Sequence, residues 1–479
     1  TTPFESNRVI NLTKYQIIKE SMDMQRKYWA IWGTVIMVMA VILSGCAAPA
    51  AAPADAPAAE ADSGGDAEAA VPPITILIND SPWFAGFEAL VNRYIEETGN
   101  AVNLNVTPFT GMLEKSRNAV QADESEFDIL NLNEQWYMPF YAGGLVTPIL
   151  DIDPDFVLDP NVIEYAGATR WDPEVNYSTP DGILYGLPIN GNIQLYLYRK
   201  DLFEEKGIEV PQTWDEVAAV AEQFNDPPNM YGFSIRTVGG DWEYQAYLQS
   251  YGASIIEIDP ETNAWVVGLT SDAAVDATNT WLDLGSTYGP ANYANMSQAD
   301  NLALMASGQL AQIHMVGAVA PNFQDPEKSV VVDKMGAAVV PGVTADNRAT
   351  MSGIWVMGIP HNLPSERQQA ALTFLEWALT KDAQIFYAQS GAIPVRQDVY
   401  QELADDPDLG WWMQAMGEST PYIKPQPRLP ETPQIIEVIN RRLGQILIEE
   451  LTVEEGLAEA SQEIYDILVE GGYDVAPLE

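Results

Sequence analysis

From residue 74 onward, short β-branched runs alternate with amphipathic helical stretches, and that alternation leaves few folds open. Residues 74–78 read as a strand, and the loop leaving it carries Ser81 and Trp83. Phe84, Phe87, Val91, Tyr94 and Ile95 then recur at helical spacing, with Gly99 where a C-terminal glycine belongs. Residues 102–106 and 127–132 read as the next strands, the latter running into Asn133, Glu134, Gln135 and Trp136. Strands separated by helices imply an α/β fold around a mostly parallel sheet covered on both faces. In such sheets ligands bind in the loops at the carboxyl ends of the strands, here residues 81–83, 109–111 and 133–136.

The later chain continues the pattern. A strand is expected at 231–235 and another at 311–315, ending at Gly317. Helices are expected at 271–284, 299–307 and 433–450. Thr213 with Glu216, and Thr452 with Glu455, have capping-box spacing and mark two further helix starts. No repeat of fixed period is present.

The chain has 479 residues, with 23 Lys+Arg against 68 Asp+Glu and a net charge of −45. At 47% apolar residues it can build sizeable cores, and its length suggests more than one lobe. A surface this acidic repels a phosphate backbone, so nucleic acid is excluded as a partner. One cysteine and two histidines leave no disulfide and no ordinary zinc or thiol–histidine site. Neither metal nor cofactor is expected. The acids Asp151, Asp153 and Asp155 suggest a calcium loop, but Phe156 and Val162 stand where glycine and glutamate would be needed. Against this poor chemistry stands a rich recognition inventory of 13 Trp, 21 Tyr and 13 Phe.

The cysteine has a particular setting. Arg26 and Lys27 precede an apolar run at 28–43, and Leu43, Ser44 and Gly45 lead into Cys46. A basic start, a short apolar run and small residues describe a secretory signal, taken here as residues 24–45. The arrangement resembles the bacterial lipobox, which implies that Cys46 is lipidated and holds the protein to the outer face of a membrane. Translation is expected to start at Met22 or Met24. Residues 46–73, mostly Ala, Pro, Gly and acids, read as a flexible tether.

Six motifs then follow one another in order. They are Tyr198-Arg-Lys-Asp-Leu-Phe, Gly207-Ile-Glu-Val-Pro-Gln-Thr-Trp-Asp-Glu, Leu304-Met-Ala-Ser-Gly-Gln-Leu-Ala, Met335-Gly-Ala-Ala-Val-Val-Pro-Gly, Ser390-Gly-Ala-Ile-Pro-Val-Arg and Leu451-Thr-Val-Glu-Glu. In this order the chain resembles the extracellular solute-binding proteins of ABC importers, in the sugar-binding group that includes maltose-binding protein. The resemblance implies a two-lobed binding-protein fold with a ligand cleft between the lobes. One lobe would comprise 74–190 plus 357–395 and the other 191–356 plus 396–479, with chain crossings near 190–192, 353–357 and 393–396. It further implies a monomer that performs no reaction, captures a carbohydrate by hinge closure, and delivers it to the transmembrane subunits of an ABC permease.

Sugars present weakly apolar C–H faces and rings of hydroxyls, so their sites combine aromatic plates with polar side chains. Trp83, Trp136, Trp242 and Trp355 all fall in expected loops, beside Ser81, Glu134 and Gln135, Asp241, and Ser352. The resemblance carries ligand contacts onto Ser81, Asn133, Glu134, Gln135, Trp136 and Asn192. Thr110 and Asn190, in the adjoining loops, complete the candidate set. His314 reads as a structural residue ending a strand. The family's aromatic residue after Gly317 is Val319 here, its cleft acid is Asn192, and its C-terminal cleft tryptophan has no match around Ile435. These departures favour a smaller sugar or a polyol over maltodextrin. The alternatives are an extracellular glycoside hydrolase with two carboxylates, or a receptor for a polyamine or peptide.

Overall fold

The computed structural model describes residues 71–259 and 261–478. Cys46, the expected signal and most of the expected tether lie outside these residues. Two separate sheets organise the described chain. The first has five strands, in the order Val102–Thr107, Ile74–Asn79, Ile129–Asn133, Trp355–Gly358, Gly186–Asn190. The first three run parallel, while Trp355–Gly358 is antiparallel to both of its neighbours. Ile76, Leu77, Ile78, Ile129 and Leu130 are wholly buried, as central strands covered on both faces must be. Helix Phe84–Thr98 covers them through Phe87, Leu90, Val91 and Tyr94, and Gly99 ends that helix at φ +75°, a conformation glycine adopts without strain.

The second sheet has three strands, in the order Gln312–Val316, Gln194–Arg199, Met335–Ala338, and is antiparallel throughout. The expectation of a mostly parallel sheet is therefore corrected. Within these two sheets only the opening βαβα stretch supplies parallel strands, and the other strands come from segments far apart in the chain. The strand expected at 231–235 is also corrected. Tyr231 makes a single bridge to Leu310, and the N–H groups of Gly232 and Phe233 bond to the Tyr288 carbonyl rather than to a neighbouring strand.

Helix starts follow the sequence closely. Both expected capping boxes are formed, at Thr213/Glu216 and Thr452/Glu455, and a third joins Ser297 to Asp300. The helices they open are Trp214–Phe224, Val453–Glu470 and Gln298–Ala306.

The chain leaves the first sheet for the second between Asn190 and Gln194 and returns between Met351 and Trp355. A third passage runs through 393–396. Before it, helix Lys381–Gln389 packs on Phe84–Thr98; after it, helix Gly410–Ser419 lies on the Met335–Ala338 strand. The three passages are stitched together. Gly353 N donates to Asn192 O at 2.9 Å, Gly191 N to Ile393 O at 3.3 Å, and Ile393 N to Asn190 Oδ1 at 3.3 Å. A side chain at Gly191 would collide with the Tyr165 hydroxyl, and one at Gly353 would come within 2.6 Å of the Trp242 ring. Close backbone approach, not turn geometry, requires glycine at both places. The result is a two-lobed α/β fold, with one sheet at the centre of each lobe.

Candidate functional site

Three tryptophans gather where the strands of the first sheet end. Trp83 immediately precedes helix Phe84–Thr98, Trp136 lies in the turn after Ile129–Asn133, and Trp355 opens the returning strand opposite Asn133. Trp355 stands between the other two, with ring centroids 6.1 Å from Trp83 and 5.9 Å from Trp136. Phe109 packs 4.8 Å from Trp136 and 6.0 Å from Trp355, and remains 46% exposed. Buried indoles thus back an accessible ring, which is how a protein holds an aromatic plate rigid at a surface. Thr110, next to Phe109, is exposed in the first turn of helix Phe109–Gln121.

Around the second passage the groups are polar. Trp242 Nε1 and Gln426 Nε2 both donate to Ser352 O, at 2.8 and 3.1 Å, and Asn440 Nδ2 donates to Asp241 Oδ1 at 2.7 Å. Burial pushes the Asp241 carboxyl up, against the hydrogen bond from Asn440 and the charge of Arg236. The expectation of a loop here is corrected: Asp241 and Trp242 open helix Asp241–Ser250, whose N-terminus favours acids in its first turn.

Five buried polar atoms on these residues have no partner: Ser81 Oγ, Trp136 Nε1, Ser352 Oγ, Asp241 Oδ2 and Gln426 Oε1. A buried polar group left unpaired costs about 1–3 kcal/mol, so such groups are rare and ask for an explanation. Together they offer two hydroxyls that donate or accept, one indole N–H, and two acceptor oxygens. That set matches a ligand made of hydroxyl groups.

Other candidates are placed differently. Glu134 is wholly buried and its carboxylate is fully used, accepting from Arg428 Nε at 2.9 Å, Arg428 Nη2 at 2.6 Å and Ile354 N at 3.2 Å. The expectation of a free cleft acid at Glu134 is therefore corrected. Asn190 is likewise buried and committed to the crossings, with its Nδ2 donating to Asn192 Oδ1 at 3.0 Å. Asn133 Oδ1 accepts from Gln135 N at 3.1 Å and shapes the turn that carries Trp136, while Gln135 and Asn192 are half-buried. Asp153 accepts from the Asp155 N–H at 2.9 Å, and among the described residues no group of three or more metal-type side chains comes together.

Gln426, Arg428 and Asn440 are functional or supporting residues that the sequence alone does not mark. Each lies in a segment far along the chain that returns to the crossings, and no local pattern marks such a return. Phe109 was legible only as part of a cleft loop.

His314 is buried and structural. Gln194 Nε2 donates to Trp242 O at 2.7 Å, so Gln194 Oε1 is the acceptor facing Met351 N at 3.1 Å and His314 Nε2 at 3.0 Å. The imidazole is thereby held as the Nε2–H tautomer. Burial lowers it from an ordinary 6.5 to about 3. Below pH 6.5 the unfolded chain takes up a proton that the folded chain refuses, so this residue erodes stability progressively as pH falls from 6.5 toward 3. His314→Gln should flatten that part of the pH dependence. In urea titrations through the same window, wild type should lose stability relative to the variant by up to about 1.4 kcal/mol per pH unit. Parallel curves would refute the assignment.

Residues 89–410 match the family described as bacterial extracellular solute-binding protein. The chain is 25% identical over 373 residues to the mannitol-binding protein of Pseudomonas aeruginosa, which spans 73% of this chain and 82% of that relative. It is 21% identical over 377 residues to the erythritol/L-threitol-binding protein of Mycolicibacterium smegmatis, spanning 75% of this chain and 78% of the relative. A solved solute-binding protein of an ABC transporter from Agrobacterium radiobacter K84, in complex with ribitol, has the same fold, with a TM-score of 0.66 at 21% identity over 82% of this chain and 98% of that one. The chain belongs to the bacterial extracellular solute-binding proteins.

Proposed function

We propose that this protein is the capture subunit of an ABC importer, which takes a small sugar or polyol between its lobes and hands it to a permease. The observation that carries the reading is the set of unpartnered buried polar atoms, two of them (Ser81 Oγ and Trp136 Nε1) at the Trp83–Trp136–Trp355 cluster and three (Ser352 Oγ, Asp241 Oδ2 and Gln426 Oε1) at the second passage. Relatives that bind mannitol and erythritol support the polyol class. The lobes are assigned as 74–190 plus 357–395 and 191–356 plus 396–479, with closure about the stitched passages. Ser81, Trp83, Trp136, Asp241, Trp242, Ser352 and Trp355 form the ligand set, joined by Phe109, Gln426 and Asn440. Ligand contacts to both lobes offset the cost of closing. The protein works as a monomer and performs no reaction.

Capture is tested by tryptophan fluorescence, since three indoles line the proposed site. A saturable change on adding D-mannitol, erythritol or ribitol is expected. No change with any of them, or with maltose, would overturn the reading.

The anchor is part of the same proposal. Cys46 carries the lipid and residues 46–73 give the body reach from the membrane. A single acyl chain binds membranes only marginally, whereas two or more hold firmly. Cys46→Ser should therefore move the protein from the membrane fraction to the soluble fraction of expressing bacteria. A variant that stays with the membrane would contradict the lipobox assignment.

A further inference from the structure

A second cavity adjoins the aromatic site without sharing its plates. It has a volume of about 270 Å³, just below the usual range for ligand sites. One of its lining residues is Tyr177, which closes a tight hairpin through mutual backbone hydrogen bonds with Asp172. That hairpin is fastened across to the C-terminal segment. Asn176 Nδ2 donates to the Tyr473 hydroxyl at 2.7 Å, which donates in turn to Glu431 at 2.8 Å, and Tyr177 packs edge-on against Trp265 at 5.1 Å. The walls include Trp265, three amides (Gln245, Gln249 and Gln426) and the carboxylate of Glu257.

Gln426 carries the argument. It is only 3% exposed, its Nε2 is used by Ser352 O, and its Oε1 is a buried acceptor with no partner. None of Trp83, Trp136, Trp355, Ser81 or Asp241 lines the cavity, and the Gln426 Nε2 bond to Ser352 O links its wall to the second passage. Among the described residues its lining holds no Lys, Arg or His, which disfavours an anion. Gln245 Nε2 and Gln426 Nε2 are used by Asp241 O and Ser352 O, so the groups left for a ligand are the Gln249 amide, which donates and accepts as hydroxyls do, and the Gln426 Oε1 acceptor. Two aromatic rings add surfaces for C–H faces.

We propose that this cavity is a second binding site, for a small neutral polyhydroxylated molecule. It goes beyond capture at the tryptophan cluster, with whose ligand set it shares the Gln426 side chain. The test is fluorine NMR on protein labelled with fluorotryptophan, with the Trp265 resonance assigned through Trp265→Phe. D-mannitol, D-glucose and tetramethylammonium chloride are titrated separately to millimolar concentrations.

A saturable Trp265 shift with mannitol or glucose is expected, and it should persist in Trp136→Ala, where the first site is disabled. Gln249→Leu should weaken it about tenfold, the loss expected for removing one hydrogen-bonding partner. Gln249 is half-buried and anchors nothing else, so this variant keeps the fold. No saturable Trp265 shift, a shift that vanishes with Trp136→Ala, or a shift with tetramethylammonium alone would each overturn the proposal. A Trp265 response with silent Trp83, Trp136 and Trp355 resonances would sustain this site while refuting the other.

Discussion

Replacing Arg428 with methionine should cost about 3–5 kcal/mol of stability, the largest effect expected of any single change outside the aromatic core. Arg428 and Glu134 are both fully buried, and the pair joins the end of one sheet's strand to a segment 294 residues away. Arg428 also donates to the carbonyls of Tyr165 and Ala166, which hold positive φ values of 47° and 55°. Non-glycine residues in that region store strain that the surroundings must hold in place. Loss of the guanidinium leaves a buried carboxylate unpaired and releases that turn at once. Adding Glu134→Gln to Arg428→Met should recover part of the loss, because the uncompensated charge is gone. Urea unfolding of the two variants measures both effects. Equal stabilities for single and double variants would show that the charge pair is not the origin.

The second large effect falls on binding and should leave the fold alone. Ser81→Ala and Ser352→Ala each remove a buried hydroxyl that has no partner within the protein. Stability should hold or rise slightly, since nothing is lost but an unpaired polar atom. Ligand affinity should fall about tenfold for each and about a hundredfold together, if the sites act independently. Trp355→Ala provides the contrast. That ring is buried against Trp83, Trp136 and Phe109, so its loss should cost both affinity and about 3–5 kcal/mol of stability. Serine variants that lose stability while keeping affinity would show these hydroxyls to be ordinary core groups.

The fold was largely legible because its signals are local. Helical spacing from Phe84 to Ile95, the Gly99 stop and the two capping boxes each rest on residues within a few positions of one another. Sheet direction was not legible, since strands 194–199, 312–316 and 335–338 meet only after long excursions. The site was half legible. The four loop tryptophans stood out because they lay beside polar or small residues, and Trp83, Trp136 and Trp355 do converge. Glu134 shows the limit. An acid beside a tryptophan reads as a cleft group until its partner is known, and that partner, Arg428, arrives from the far end of the chain. Asn190 misled in the same way: its amide faces the third crossing rather than open space.

The most direct test of capture by the tryptophan cluster and its unpaired polar atoms is a thermal-shift series on the purified protein with D-mannitol, erythritol, ribitol, maltose, spermidine and calcium. A ligand that binds only the folded state raises the melting temperature in step with the logarithm of its concentration. Such a rise is expected with at least one polyol or small sugar, and its loss in the Ser81→Ala/Ser352→Ala variant. A rise confined to spermidine or calcium, or a polyol effect unchanged in that variant, would contradict capture at this site.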